Sequence, residues 1–257
     1  MTPATAPSAF AWGLPEDVSV HGWRVDWLLA STTIFVGLLF AATLVWLLWS
    51  GLFHGRRHRA VYDHGDGKKQ VIKAACLSGV IFLVVDGNLF VNGLSDLRHA
   101  FWNFEAAESH PEAVRIQINA HQWAWDGRYP GPDGLFNTPD DIVTLNDLRV
   151  PVDTPVIVQL AATDVLHSFS LPNFRIKQDA VPGTITRLWF QAKKTGVFEI
   201  ACAQHCGVNH YKMKGRLTVL PKAPYAAWAR EASALSAAAY DPNDKAAHWG
   251  WLWQRGK

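Results

Sequence analysis

Two thiols, an imidazole and a thioether fall within twelve residues, in Cys202-Ala-Gln-His-Cys206-Gly-Val-Asn-His210-Tyr-Lys-Met213. A further histidine stands upstream, in Asp164-Val-Leu-His167-Ser-Phe. Thiolate and thioether are soft donors, and imidazole suits copper as well as zinc. Three chemistries fit the short motif: a copper site, a closed Cys2His2 zinc site, or a Cys202–Cys206 disulfide in an oxidising compartment. The methionine favours copper, because zinc sites take Cys, His and carboxylate. The chain has only two methionines and one of them is Met1, so Met213 at this spacing is not one gap-filler among many. The third cysteine, Cys76, reads as a small apolar core residue. No C-x-x-C-H occurs, so no covalent haem c is encoded.

These donors have to be carried by the elements around them, and two apolar stretches come first. Trp27 to Ser50 runs 24 residues without a charge, enough to cross a hydrocarbon core of about 30 Å. A second candidate span runs from about Val71 to Val91, with Lys73 at its start and Asp86 and Asn88 late in it. Asp86 has two readings: a functional intramembrane carboxylate, or an interfacial one at the helix end. The loop from Gly51 to Lys73 carries Arg56, Arg57, Arg59, Lys68, Lys69 and Lys73, whereas no Lys or Arg precedes Arg24. The positive-inside rule puts that loop in the cytoplasm and both chain ends outside. No charged n-region with an apolar core and cleavage site precedes the first span, so no cleavable signal peptide is expected. The net charge of +2, with no basic run beside aromatics, excludes a nucleic-acid partner.

From Val114 onward the pattern changes to short alternating runs. Val114–Asn119, Val156–Leu160, Ile185–Phe190, Val197–Ile200 and Arg216–Leu220 read as strands, separated by Pro and Gly. Several short strands at this spacing predict a β-sandwich or barrel. Tyr225 to Tyr240 is helical by propensity and ends at Asp241-Pro242. The whole reads as a membrane-anchored α+β chain with five segments. They are an outer segment (1–23), a transmembrane helical hairpin (24–94), a linker (95–113), an all-β domain (114–221), and a C-terminal helix and tail (222–257). The Trp-rich stretch His248–Trp253 is assigned no role.

Four blocks together resemble cytochrome c oxidase subunit II of the haem–copper oxidase superfamily. They are the helical hairpin, His121-Gln-Trp-Ala-Trp125, Asp164-Val-Leu-His167-Ser-Phe, and Lys177-Gln-Asp-Ala-Val-Pro-Gly183 followed by the cysteine motif. The resemblance implies a cupredoxin-like sandwich and a dinuclear copper centre, CuA. Cys202 and Cys206 would bridge two copper ions and His167 and His210 would each bind one. Met213 and the backbone carbonyl of Gln204 would be weak axial ligands. Trp123 matches the family's electron-entry tryptophan, although a Trp pair in a strand is by itself ordinary packing. Asp164 could help dock a cationic donor. The implied protein is an integral subunit of a bacterial inner-membrane oxidase, with its copper domain periplasmic. It would take electrons from cytochrome c and pass them to subunit I, which reduces oxygen and moves protons; this chain alone cannot reduce oxygen.

Gln204 departs from the family, most of which has Glu there, binding magnesium at the interface with subunit I. An amide is a poorer magnesium ligand, so the copper site carries over and the magnesium site is left in question. Asp63 and Asp66 lie in a loop and do not carry over the family's proton-channel carboxylate. Two other functions remain open at this point, the CuA subunit of a nitric oxide reductase and a membrane-anchored copper carrier or assembly factor. Finally, Asp126 to Asp153 has six Asp against two Arg, a balance of −4, and Gly and Pro enough to predict mostly irregular loop. It reads as solvated surface, as a docking surface around Trp123, or as a calcium loop.

Overall fold

The computed structural model describes residues 13–55, 59, 62–241 and 243. Arg56, Arg57 and the Trp-rich tail lie outside them. The chain divides into two compact units: Arg24–Arg98, and the remainder from His99 together with the residues up to Trp23.

In the first unit, helix α1 (Gly22–Phe53) contains the uncharged run from Trp27 to Ser50. A second helical stretch begins as α2 (Lys68–Ile81), passes through a π-helical turn (Phe82–Asp86), and continues as α3 (Gly87–Asp96) into a second π turn (Leu97–Phe101). Both are long and apolar enough to span a membrane, and their apolar stretches are exposed. The helix does not end near Asp86, as one reading had it; φ and ψ stay α-helical across Asp86 and Gly87. Cys76 is also exposed, on α2. The expectation of a core residue fails because α2 buries no side chain; its apolar surface is suited to lipid or another helix. Arg24 Nη1 donates to Asp96 Oδ1 at 2.6 Å, clasping α1 to α3 at one end.

The second unit is a sandwich of two five-stranded sheets. One sheet has the order β3 (Ile142–Leu145), β2 (Ala124–Tyr129), β1 (Val114–His121), β5 (Pro155–Ala162), β8 (Thr186–Gln191). The other has the order β4 (Asp147–Pro151), β10 (Lys214–Leu220), β9 (Gly196–Cys202), β6 (His167–Leu171), β7 (Ile176–Ala180). Alternation does the sorting: Ile116, Ile118 and Ala120 point into the core, as do Val156, Val158 and Leu160 on the parallel neighbour β5. Trp125 and Phe169 meet edge-on at 5.3 Å between the sheets. A short helix α4 (Phe104–Glu108) precedes β1, so residues 95–113 are largely helical rather than a plain linker. Helix α5 (Lys222–Ala239) packs Trp228 against Tyr129 at 5.4 Å.

The segment before α1 belongs to this unit. Val18 is fully buried, its N–H donates to Asn173 O, and its carbonyl accepts from Lys193 N. Asp17 pairs with Lys193 and Glu16 with Lys194.

The acidic stretch is only partly loop. Residues 124–129, 142–145 and 147–151 are strands, which leaves 130–141 irregular. Gly127 sits in β2 because a Cβ there would lie 2.3 Å from Leu148 Cδ2 of the facing sheet. The irregular part folds over Arg128, which is 2 % exposed. Its guanidinium reaches Gln117 Oε1 at 2.8 Å, Asn137 Oδ1 at 2.7 Å and Asp141 Oδ2 at 3.7 Å. Burial outweighs pairing for both ions. It depresses Arg128 despite the nearby Asp141 charge, and it raises Asp141 despite hydrogen bonds from Asn137 and Thr138 and the charge of Arg128.

Removing one partner of such a pair leaves the other charge buried, at a cost of about 3–5 kcal/mol. Arg128→Leu should therefore lower the unfolding midpoint sharply and open 130–141 to protease, whereas Arg216→Leu, at an exposed pair with Asp147, should do neither. Thermal unfolding and limited proteolysis of both variants check this.

Candidate metal centre

Strand β9 ends at Cys202 and β10 starts at Lys214, so Cys202–Met213 is the connection of an antiparallel pair registered Ala201↔Lys214. On the other side of β9, β6 pairs Phe169↔Cys202, which places His167 at the same end of the sheet. Backbone bonds close the loop on itself: Cys202 N to Met213 O, Ala203 N to Ser168 O, and His210 N to Gly207 O. A 3-10 turn over His210–Lys212 then delivers Met213 inward.

The donors converge. Cys202 Sγ and Cys206 Sγ are 3.7 Å apart, and both thiols are free. Cys206 Sγ lies 3.6 Å from His210 Nδ1 and 3.7 Å from Met213 Sδ. His167 Nδ1 lies 3.2 Å from Met213 Sδ. Cys202 Sγ donates to the Gln204 carbonyl at 3.2 Å, so that carbonyl faces the cluster. The ligand atoms of His167, Cys202 and Cys206 all fall within 4.8 Å of one another. All six donors singled out from the sequence are thus brought together. His167, Met213 and Cys206 are buried, while His210 and Cys202 are half-buried. A thioether seated between a thiol and an imidazole fits copper and is foreign to structural zinc.

Asp164 also holds the site together. Its carboxylate accepts from the amides of Gln122 and Val165, each at 2.6 Å, and from His167 Nε2 at 2.9 Å. With Nε2–H donated to Asp164, the Nδ1 lone pair of His167 points into the cluster, the usual work of a carboxylate behind a metal-ligating histidine. Burial opposes ionisation of Asp164, but those hydrogen bonds prevail and hold it below the ordinary carboxylate value. Burial likewise works against protonated His167, and bonds from Cys202 and Asp164 raise it on balance.

Trp123 lies against the cysteine loop, its Nε1 donating to Cys206 O at 3.3 Å, and remains partly exposed. Gln122, which sequence reasoning missed, donates its side-chain amide to the same carbonyl at 2.8 Å. Gly207 has φ +119°, and a Cβ there would sit 2.9 Å from Gln122 Nε2 and 3.3 Å from the Trp123 ring. The signal for both was present in the neighbouring Trp123 and Cys206 but not in their own residue types. Asp126 is also near, 3.3 Å from His121. The remaining acidic loop is not: β2 carries the chain from Ala124 to Tyr129, about 17 Å, before 130–141 begins. The Asp140 and Asp141 carboxylates are bonded to Thr138 and the Asn137 amide, which leaves them poorly placed to surround Trp123.

The two thiols are electrostatically unequal in the metal-free protein. Burial disfavours both thiolates. For Cys202, hydrogen bonds from His167, the amides at Ser168 and Gln204, and His210 more than offset that and bring it down to about 6. For Cys206, burial and then the neighbouring Cys202 thiolate push it up to about 12. The first equivalent of iodoacetamide should therefore land on Cys202 with a rate that rises through pH 6, and Cys206 should stay protected while Cys202 is unmodified. Peptide mass spectrometry reads the site; equal labelling, or a midpoint near 9, contradicts the assignment.

Residues 114–218 match the family model described as cytochrome c oxidase subunit II, periplasmic domain. The chain is 29% identical to the alternative cytochrome c oxidase subunit 2 of Bradyrhizobium diazoefficiens, over 86% of this chain and 81% of that one. It is 26% identical to the cytochrome c oxidase subunit 2 of Cereibacter sphaeroides, over 88% of this chain and 82% of that one. The crystal structure of the periplasmic domain of subunit II of cytochrome oxidase from Bradyrhizobium japonicum aligns with 48% of this chain and 94% of that one, at 29% identity and a TM-score of 0.43.

Proposed function

We infer that the chain belongs to the cytochrome c oxidase subunit II family, which it resembles over its outer domain and most of its length, and that it is the electron-entry subunit of a membrane-anchored terminal oxidase. Its outward-facing domain would receive electrons from cytochrome c, and a haem–copper subunit I would reduce oxygen with them. The observation that carries this reading is the convergence of six donors, two thiols, a thioether, two imidazoles and a carbonyl, beside a partly exposed indole. Cys202, Cys206, His167, His210, Met213 and the Gln204 carbonyl would hold two copper ions. Copper in that setting supplies one-electron transfer with little change of geometry.

The chain's own residues do the rest. Asp164 fixes the His167 ring so that Nδ1 faces inward. Gln122 and Trp123 pin the Cys206 carbonyl, which holds that thiol in place. Burial of Met213 and Cys206 keeps water from the soft donors. Trp123 offers a flat, polarisable face at the surface, and Asp126 and Asp164 supply the negative charge nearest to it for a cationic donor.

Metal analysis of the protein purified with copper available should give about two coppers per chain, with one unpaired electron shared between equivalent nuclei in the electron paramagnetic resonance spectrum. Cys202→Ser or Cys206→Ser should abolish that signal. Met213→Leu should keep it with an altered potential. A single-copper spectrum or stoichiometric zinc contradicts the reading.

Trp123→Phe should slow reduction by cytochrome c while leaving its salt dependence as in the parent, since the indole is a conduit and the carboxylates steer. Stopped-flow reduction at several ionic strengths separates these, and an unchanged rate removes Trp123 from the route.

A further inference from the structure

The six donors are not equally covered. His167, Met213 and Cys206 are 0 %, 1 % and 3 % exposed, and the last two belong to the hydrophobic core. Cys202 and His210 are only half-buried, and Ala203, Gln204 and His205 between the cysteines are exposed. The cluster therefore has a closed side against the core and an open side along residues 202–205 and His210. An ion arriving from solvent meets the open side first. An imidazole stands there that the donor set does not use. The ring of His205 lies 5.6 Å from that of His210, centre to centre, at 45°. Among the described residues no hydrogen bond holds it.

That spacing suits one shared metal ion. With metal–nitrogen bonds of about 2.0–2.1 Å and about 1.2 Å more to each ring centre, two imidazoles on one ion stand about 5.3–6.5 Å apart for bond angles from tetrahedral to linear. The observed 5.6 Å falls inside that range. His210 turns Nδ1 to Cys206 Sγ at 3.6 Å, a contact that leaves its Nε2 unused. His205 is exposed, so its ring can rotate to present either nitrogen within nanoseconds. Imidazole binds copper, but soft thiolates select Cu(I). The histidine pair is therefore a weaker site than the cluster beside it, and an ion held there runs downhill into the cluster.

We propose that His205 and His210 form a transient loading site for Cu(I), which receives the ion at the open side of the cluster and hands it to Cys202. His205 and His210 each bind it through one ring nitrogen. Cys202 Sγ then forms a sulfur–copper bond as the bond from His205 breaks, and the thiol proton leaves to water. Copper stays Cu(I) throughout, so the exchange needs no oxidant or reductant. His210 remains a ligand, whereas His205 is released and takes no part in the filled centre. The proposal rests on reading the cluster as a copper centre.

The test uses the full metal-free chain in detergent, given Cu(I) as its acetonitrile complex under argon. Samples are quenched at intervals with excess Cu(I) chelator, and the copper kept by the protein is measured. His205→Ala should slow filling by roughly tenfold, the scale on which groups around a metal site alter its binding. The filled variant should end at the parent's copper content and, once oxidised, at the parent's electron paramagnetic resonance spectrum. His205→Met, which offers a thioether in place of the imidazole, should restore most of the rate. Val208→Ala, exposed on the same loop, should fill as the parent does. An unchanged rate in His205→Ala, a loss that Met does not rescue, or equal slowing by Val208→Ala overturns the proposal. A changed final spectrum in His205→Ala also overturns it, by making His205 a ligand of the centre itself. A parent chain that keeps no copper against the chelator overturns the copper-centre reading instead, so the two failures are told apart.

Discussion

The structure depends on the pairing of three adjacent strands, β6, β9 and β10. Their register places His167, Cys202 and Met213 at one end of one sheet, with Cys206 and His210 on the loop between. Side chains alternate faces along a strand, so a slip of one residue would turn His167 to the other side while leaving the loop donors where they are. The register is held by what lies beneath it: Phe169, Leu171, Ile200 and Leu217 are all buried against the opposite sheet. The hydrophobic core and the donor set are therefore not separate designs. The same alternation that buries Phe169 sets the position of His167 two residues earlier.

The donors also differ in how they tolerate burial. Met213 and Cys206 behave as small apolar groups and cost little when buried without metal. His167 does not, and a fully buried imidazole needs partners. Asp164 supplies one, and Asp164 is itself satisfied by two backbone amides. Those amides belong to the β1–β2 turn and to the turn before β6. The most polar of the six donors is thus anchored through the backbone of both sheets.

Much of this was legible in the sequence because the decisive spacings are local. Four of the six donors sit within one loop, and soft ligand types at that spacing restrict the chemistry. The strand leading to Cys202 was readable over Val197–Ile200, whereas β6 at His167–Leu171 was not read from alternation, and the first span is uncharged from Trp27 to Ser50. The failures have physical causes. Residues 124–129 and 147–151 were read as loop because Gly127 and the acidic residues mimic turn composition, yet Gly127 answers a close approach of Leu148 and Arg128 is buried under Asn137 and Asp141. Cys76 was read as core because its type is usually buried, but its helix has no core of its own to enter. The clamp of residues 16–20 onto the sandwich left no periodic trace, being a short stretch held largely by backbone bonds, Val18 to Asn173 and Lys193 and Val20 to Gln191. Asp86 was ambiguous because sequence gives an ionisable residue but not the end of its helix; continuity of α2 into α3 removes the interfacial reading.

Gln122 and Trp123 couple the surface to the cluster more tightly than either could alone. Both donate to the carbonyl of Cys206, and Gly207 leaves the space that lets them approach. The backbone N–H of Gln122 also holds Asp164, which holds His167. One turn between β1 and β2 therefore touches both sides of the donor set, the cysteine loop through a carbonyl and the upstream histidine through a carboxylate. An indole attached to that turn cannot shift without moving a ligand, and a ligand cannot shift without moving the indole. Under the proposed function that coupling would keep the separation between the exposed indole and the donor set constant, because hydrogen bonds of 3.3 Å from Trp123 and 2.8 Å from Gln122 end on the same carbonyl.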